Sequence, residues 1–183
     1  TGSDDGRWST SRGKLRAGRV ELGKFRIDYK SELIGVGVVV QDGFALDASG
    51  SVSVANYNLL RSGLSAALAA LPLDGTVEIT IVSYGTSVNT VTAPTVLTAA
   101  TLTAIQTAIA THAKDGGGTN TAGAITGLTS LMIGSANFAD PGTRSVINLA
   151  TDGVPNSQSA AQTAAAASAA AGIDALSIEA IGS

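Results

Sequence analysis

The sequence predicts an α/β fold in which helices cover both faces of a doubly wound, mostly parallel sheet with one antiparallel hairpin strand at its edge. Apolar stretches with the two-residue period of strands alternate along the chain with stretches of helical period. Such alternation is typical of parallel sheets, since neighbouring parallel strands are joined by a crossover that is usually a helix. A chain of 183 residues with 44% hydrophobic side chains is also large enough for one buried core.

The elements of the first half follow from apolar spacing and from capping residues. Residues 33–46 form an almost unbroken apolar run, which is typical of a strand buried on both faces. Ser53 is a favourable N-cap for a helix whose leucines recur at helical spacing until Pro72. Residues 76–84 alternate in the pattern of a strand, and residues 87–92 lie close enough to form its antiparallel partner.

The second half continues the alternation of helices and strands. The predicted segments are, in order, a helix around Leu102, Ile105 and Ile109, a helix around Ile125, Leu128 and Leu131, a strand at residues 144–150, an alanine-rich helix at residues 157–171 and a strand at residues 173–181. In Rossmann-like sheets of this kind, ligands bind outside the carboxyl ends of the strands. A functional site is therefore expected at that edge.

The composition excludes several classes of protein. The chain has no cysteine, which excludes disulfides, Cys-ligated zinc and thiol catalysis. His112 is the single histidine, and we expect it on the surface near a helix C-terminus rather than in a metal cluster or a catalytic triad. No apolar run approaches the roughly 20 residues that a membrane span requires.

The charge is distributed unevenly along the chain. Residues 1–30 carry a net charge of +4 and residues 31–183 a net charge of −7, which predicts a basic N-terminal arm joined to an acidic domain. A basic arm can dock on nucleic acid or on an acidic surface, or it can be a solvated or packed extension. The interleaved acids and the lack of an aromatic platform favour the second interpretation, so no nucleic acid partner is expected. Within the arm, residues 19–29 alternate weakly and predict a strand or a hairpin.

Three polar segments carry the candidate site. Asp47, Ser49 and Ser51 follow the first apolar strand, Thr119 precedes a helix, and Asp152 follows a later strand. Because the carboxyl ends of parallel strands meet at one edge of a sheet, these segments are expected to converge. Carboxylate and hydroxyl oxygens are ligands for a hard divalent cation such as Mg²⁺.

The number of these oxygens suggests the chemistry. Mg²⁺ takes about six oxygen ligands, and five side chains with one oxygen each leave at least one position open. With few anionic ligands, a bound cation should favour a carboxylate from a partner. The expected chemistry is binding rather than bond breaking. Asn120 and Thr121 are expected to support the second loop and cap its helix rather than to bind metal directly.

These segments resemble the von Willebrand factor A (vWA) domain, whose metal-ion-dependent adhesion site has the pattern D-x-S-x-S, then Thr, then Asp. Asp47, Ser49, Ser51, Thr119 and Asp152 match this pattern in order, and the resemblance covers about residues 35–183. It implies a site for Mg²⁺, or for Mn²⁺ or Ca²⁺, and a role in cell adhesion. It also implies a protein ligand whose acidic residue completes the coordination. The third loop and the alanine-rich composition are more similar to bacterial secreted or surface members, which implies an extracellular or cell-surface location.

The sequence departs from this family at its two ends. Family members usually continue with another helix and strand after the segment matching residues 173–183, so the resemblance leads us to expect a domain at residues 31–183 that is short at its C-terminus. The basic arm at residues 1–30 has no counterpart. One hypothesis links the two departures: the arm adds a strand to the edge that the short C-terminus leaves open. The same open edge, or the arm, can instead pair with another chain and drive self-assembly.

Two alternative functions remain at the level of the sequence. The domain can be a structural subunit of a surface filament or assembly, in which the metal site mainly stabilises the fold. It can also be a Mg²⁺-dependent phosphohydrolase of the haloacid-dehalogenase-like type, whose first loop requires a second Asp and which has a lysine further along the chain. Ser49 occupies the position of that Asp, and Lys114 is the only lysine after Lys30. A protein that is not an enzyme is therefore the preferred interpretation.

Overall fold

A five-stranded sheet with helices on both faces forms the domain. The computed structural model describes residues 16–22, 25–31, 38 and 40–180. The strands are β3 (Val40–Asp47), β4 (Asp74–Tyr84), β5 (Val88–Thr98), β6 (Arg144–Thr151) and β7 (Ala175–Ala180), and the helices are α1 (Val54–Ala69), α2 (Ala99–Thr111), α3 (Thr121–Ile133) and α4 (Gln158–Ala170). The spatial order is β5-β4-β3-β6-β7, with β3, β4, β6 and β7 parallel and β5 antiparallel to β4. The predicted doubly wound, Rossmann-like fold class is confirmed.

The two faces of the sheet are covered by different helix pairs. On one face, α1 and α2 pack Leu64 and Ile105 against Phe44 and other buried side chains of β3 and β4. On the other face, α3 and α4 cover β3, β4 and β6, with Leu128 in the centre of the second cluster. Strand side chains alternate between the two faces of the sheet, and helices cover both faces. Every residue of the central strand β3 is therefore buried. Of the strand predicted at residues 33–46, β3 confirms residues 40–46, while residues 33–37 and 39 lie outside the described residues.

Polar side chains fix the start of each helix. Ser53, Thr98, Asn120 and Ser157 are the N-cap residues of α1, α2, α3 and α4, and each side chain accepts a hydrogen bond from a backbone N–H in the first turn. The prediction that Ser53 caps the first helix is confirmed, as is the capping role of the second loop, which Asn120 supplies. The caps of α1, α3 and α4 end loops at the carboxyl edge of the parallel strands, whereas Thr98 lies at the opposite edge, across from Asp74.

The edge strand β5 is longer than predicted. The sequence suggested residues 87–92, whereas β5 continues to Thr98 past Pro94. Proline cannot donate a ladder hydrogen bond, so it is tolerated only at a sheet edge or at an irregularity. The pairing of β5 with β4 contains such a register shift between Thr92 and Thr95.

The described part of the basic arm forms a hairpin of its own. Strands β1 (Arg16–Leu22) and β2 (Phe25–Ser31) pair antiparallel, from Arg16 opposite Ser31 to Leu22 opposite Phe25. Within the described residues, these strands form a separate two-stranded sheet and do not extend the five-stranded one. The expected addition of an arm strand to the edge of the domain is therefore wrong for these residues, because each strand bonds the other across a short connection. Residues 1–15 of the predicted arm lie outside the described residues.

Across the described residues, no helix has both the length and the apolar character needed to cross a membrane.

Candidate metal centre

Asp47 lies at the carboxyl end of the central strand, where its side chain is fully buried. Its Oδ1 accepts a hydrogen bond from the Ser49 N–H at 2.9 Å, and its Oδ2 accepts one from the Thr151 hydroxyl at 2.6 Å. The parallel register brings these groups together, because β6 ends at Thr151 beside the end of β3. Short bonds of this kind to an ionised acceptor hold a carboxylate in one orientation.

The first and third loops are joined by a row of side-chain oxygens. Ser49 Oγ lies 2.9 Å from Ser51 Oγ, and the Ser51 hydroxyl donates to Asp152 Oδ1 at 2.8 Å. Ser49 is fully buried, Asp152 is half-buried, and Ser51 is exposed. The row therefore runs from the interior of the domain to its surface.

The second loop approaches the same point. A Cβ placed on Gly153 would lie 3.2 Å from Ser51 Oγ and 3.7 Å from Thr119 Oγ1, so the two hydroxyls flank this glycine. Asn156, in the third loop, makes two hydrogen bonds to Thr119 in the second loop. Its side-chain Oδ1 accepts from the Thr119 backbone N–H at 2.8 Å, and its backbone N–H donates to the Thr119 carbonyl at 2.9 Å. The structure thus brings together all five residues of the candidate site.

Backbone hydrogen bonds join the glycine-rich segment at residues 116–118 to the first loop of the site. The Gly116 N–H donates to the Ala48 carbonyl at 2.7 Å, and the Gly50 N–H donates to the Gly117 carbonyl at 2.8 Å. Gly116 and Gly117 have φ values of +76° and +77°, a conformation that other residues rarely adopt. The glycine run in the sequence therefore serves the backbone contacts of the first loop.

Tyr84 lies beside Asp47 in the interior of the domain. It ends β4 next to Asp47 in the parallel register and is fully buried. Burial raises the pKa of Tyr84 above its ordinary value, and the Asp47 carboxylate adds to the shift. The phenol therefore stays neutral and adds no charge beside the carboxylate.

The position of His112 differs in part from the prediction. It is the C-cap residue of α2, as expected, but its Nε2 lies 2.5 Å from Ser83 Oγ instead of facing only solvent. Asp115 accepts from the same serine at 3.1 Å, so the serine hydroxyl donates to the carboxylate and accepts from the histidine. In a catalytic triad the carboxylate would bond the histidine, and the nucleophile would be accessible. Ser83 is fully buried, and this group is a structural hydrogen-bond network.

The chemistry and spacing of the oxygens fit a small divalent cation. Two ligands side by side on Mg²⁺, each at about 2.1 Å from the ion, are separated by roughly 3.0 Å. The spacings of 2.9 Å between the hydroxyl oxygens of Ser49 and Ser51, and of 2.8 Å from Ser51 to the Asp152 carboxylate, are those of hydrogen bonds, and they also bring these oxygens close enough to share one such ion. Within the described part of the chain, no group of three or more His, Cys, Asp and Glu side chains could hold a metal. A cation at this edge would thus depend on hydroxyls as well as on the two carboxylates.

Four residues around the site were not predicted from the sequence. Thr151 donates a hydrogen bond to Asp47, and Asn156 accepts one from Thr119. Tyr84 lies beside Asp47, and Lys114 donates from Nζ to the Ser49 carbonyl at 2.5 Å. Thr151 ends β6 directly before Asp152, and Asn156 lies in the polar loop after it, which was the one available signal. No spacing in the sequence links Lys114 to Ser49, so this contact could not be predicted.

An open, mostly parallel sheet with carboxylates and hydroxyls converging from three loops at its carboxyl edge defines an α/β domain with a cation-type site. The family model of the von Willebrand factor type A domain matches residues 43–181. The chain belongs to this family. A comparison with curated proteins found no match.

Solved structures of the same fold extend this result. Proximal thread matrix protein 1 from the mussel byssus superposes with a TM-score of 0.65 at 18% identity, over 77% of this chain and 38% of that one. The manganese-loaded TRAP protein of Plasmodium vivax gives a TM-score of 0.63 at 16% identity, over 93% of this chain and 63% of that one. An aerotolerance-related membrane protein from Bacteroides fragilis gives 0.58 at 18% identity, over 75% and 66%. This chain thus spans less than two thirds of the mussel and Plasmodium proteins.

Proposed function

We propose that the domain is a divalent-cation-dependent protein-binding module for adhesion or scaffolding. The observation that carries the proposal is the continuous row of oxygens from buried Ser49 through Ser51 to Asp152, with Asp47 and Thr119 beside it. A divalent cation bound there would supply a hard positive centre to which a carboxylate of a partner can bind. We propose Mg²⁺, with Mn²⁺ or Ca²⁺ as alternatives.

The residues of the site have separate tasks in this proposal. Asp47 is held at both oxygens by Ser49 and Thr151, so it would provide a fixed negative charge to a bound cation. Ser49 and Ser51 would provide neutral oxygens, so they would add no negative charge to that of the two carboxylates. Asp152 lies at the more exposed end of the row, where an incoming carboxylate would approach. None of these groups is placed as an activated nucleophile, and no catalytic role is proposed.

The relatives support the type of ligand and the setting. One structure of the mussel protein has a zinc-occupied MIDAS motif, and the Plasmodium protein was solved with manganese. We propose that this chain likewise binds a divalent metal. We also propose that it acts outside the cell or at a cell surface, as in the bacterial members of the family that its alanine-rich composition resembles. Partners are proteins that present an acidic side chain.

The proposal can be tested with immobilised carboxylates. Wild-type protein should bind carboxylate-bearing beads in Mg²⁺, and not in EDTA or on amide-bearing beads. Asp152→Ala and Asp47→Asn should lose this binding. Asp140→Ala is the matched control, because this carboxylate is exposed in a turn before β6, far from the site. The net charge of −3 opposes unspecific attraction to the beads, and the EDTA arm subtracts any contribution of the basic arm.

Two outcomes would reject the adhesion proposal. One is equal binding of the wild type in Mg²⁺ and in EDTA, and the other is wild-type binding by Asp152→Ala. Folding of each variant is checked by its thermal melt, and a cation that binds the native site should raise the wild-type melting temperature.

A structural subunit is the second candidate, and the likeness to a thread matrix protein favours it. In that case assemblies should form in Mg²⁺ and disperse in EDTA, which sedimentation velocity would show. Self-assembly would use the hairpin or the outer edge of β7, which within the described residues pairs only with β6, since an unpaired strand edge can pair with another chain.

A further inference from the structure

Lys114 brings a positive charge to the candidate metal centre. Its side chain is half-buried, and its Nζ lies 2.5 Å from the carbonyl oxygen of Ser49. Residues 31–183 contain only two other lysines or arginines, Arg61 and Arg144. Arg61 donates to carbonyls at the C-terminus of α2, and Arg144 begins β6 at the opposite end of the sheet. Lys114 is therefore the cation of the domain that contacts a loop of the candidate site.

A neighbouring carboxylate does not neutralise this charge. Asp115 is next in the chain, but its Oδ2 accepts from Ser83 at 3.1 Å and from the side-chain amide of Asn89 at 2.9 Å. It therefore faces β4 and β5. Within the described residues, the ammonium of Lys114 is bonded to a carbonyl dipole rather than paired with a carboxylate.

The shape of the first loop does not depend on Lys114 alone. Backbone hydrogen bonds from Gly116 to Ala48 and from Gly50 to Gly117 already hold both sides of Ser49. The Ser49 N–H is bonded to Asp47 in addition. Removing the lysine side chain should thus leave the loop in place, and the property that is lost is the charge.

We infer that Lys114 sets the charge balance of the site, so that it weakens binding of a bare divalent cation and strengthens binding of an acidic ligand to the cation-loaded site. The inference rests on the proposed function. Asp47 and Asp152 together balance the charge of one divalent cation, and Lys114 then leaves an excess of one positive charge. A single carboxylate from a partner balances that excess. The ammonium of Lys114 contacts the backbone of Ser49, a residue of the site, and charges separated by less than the Debye length of about 10 Å at 0.1 M salt are only partly screened.

The test is a Mn²⁺ titration of the wild type, Lys114→Met, Lys114→Arg and Asp115→Asn, followed by electron paramagnetic resonance of free Mn²⁺. At low salt, Lys114→Met should bind Mn²⁺ on the order of 3- to 10-fold more tightly than the wild type. At about 1 M salt, where the Debye length is ~3 Å, this difference should largely disappear. Lys114→Arg keeps the charge, and Asp115→Asn removes a carboxylate that faces β4 and β5, so both should stay within about 2-fold of the wild type.

The second arm uses acetate as the carboxylate probe on Mn²⁺-loaded protein, detected by water proton relaxation. Acetate should bind more weakly to Lys114→Met than to the wild type. Equal or weaker Mn²⁺ binding by Lys114→Met at low salt would overturn the inference, as would a difference that salt does not reduce. A wild-type protein that binds no Mn²⁺ would remove the proposed function as well, so the two failures are distinguishable.

Discussion

Replacing Thr151 by valine tests whether the charge of Asp47 is held by the domain before any metal binds. The Thr151 hydroxyl donates to Asp47 Oδ2 at 2.6 Å, and the carboxylate is fully buried. Valine keeps the shape of the side chain but cannot donate. A hydrogen bond to a charged group contributes about 1.5–3 kcal/mol, and losing it leaves a buried acceptor without this donor. We therefore expect Thr151→Val to lower the free energy of unfolding by about 2 kcal/mol.

This loss is measurable against the expected stability of the domain. A domain of this kind is stable by about 5–15 kcal/mol, and 2 kcal/mol corresponds to a decrease in melting temperature of roughly 4–8 °C. Urea unfolding in EDTA, followed by far-UV circular dichroism, gives the free energy directly. Tryptophan fluorescence is less suitable, because the only tryptophan is Trp8 in the basic arm. The same substitution should lower metal affinity by about 10-fold or more, since residues that orient a metal ligand have effects of this size.

Thr163→Val is the matched control. Its hydroxyl donates to the Ser159 carbonyl on the exposed side of α4, so the same chemical change occurs far from the site. We expect a change within about 0.5 kcal/mol. If Thr151→Val is no less stable than Thr163→Val and binds metal as the wild type does, the reasoning about a fixed Asp47 is refuted.

Two glycine substitutions test the packing that shapes and supports the site. Gly153→Ala would place a Cβ 3.2 Å from Ser51 Oγ, so we expect about 10-fold weaker metal binding without loss of folding; Gly142→Ala has open space around its Cβ and is the control. Wild-type affinity in Gly153→Ala would contradict this close approach. Gly43→Ala would place a Cβ 2.6 Å from Met132 Sδ in the core, so we expect a loss of about 1–3 kcal/mol in urea unfolding. Unchanged stability would show that α3 does not pack as closely on β3 as described.

Much of the sheet could be predicted from the sequence because burial leaves a periodic trace. The central strand β3 is buried on both faces and lies in an apolar run that only Gln41 and Asp42 interrupt, and α1 shows its leucines at helical spacing. The end of β5 could not be predicted in this way. Pro94 normally ends a strand, and only the irregular pairing with β4 at the sheet edge allows β5 to continue.

The candidate site was predictable where it depends on topology. Asp47 and Asp152 lie at or directly after the ends of neighbouring parallel strands, and any sheet of this type brings such ends together. The contacts that hold the site residues in place could not be predicted from topology, because they join residues far apart in the sequence. Thr151 contacts a residue 104 positions away, Lys114 one 65 positions away and Asn156 one 37 positions away. No local spacing links such partners, so only the folded chain reveals them.

The measurement that tests the central claim most directly is anomalous diffraction from crystals of the protein soaked in Mn²⁺. The claim predicts one strong manganese peak between the side-chain oxygens of Ser49, Ser51 and Asp152, and no peak there in crystals of Asp152→Ala. A wild-type crystal that binds manganese only elsewhere, or not at all, would contradict the claim that these loops form a cation site.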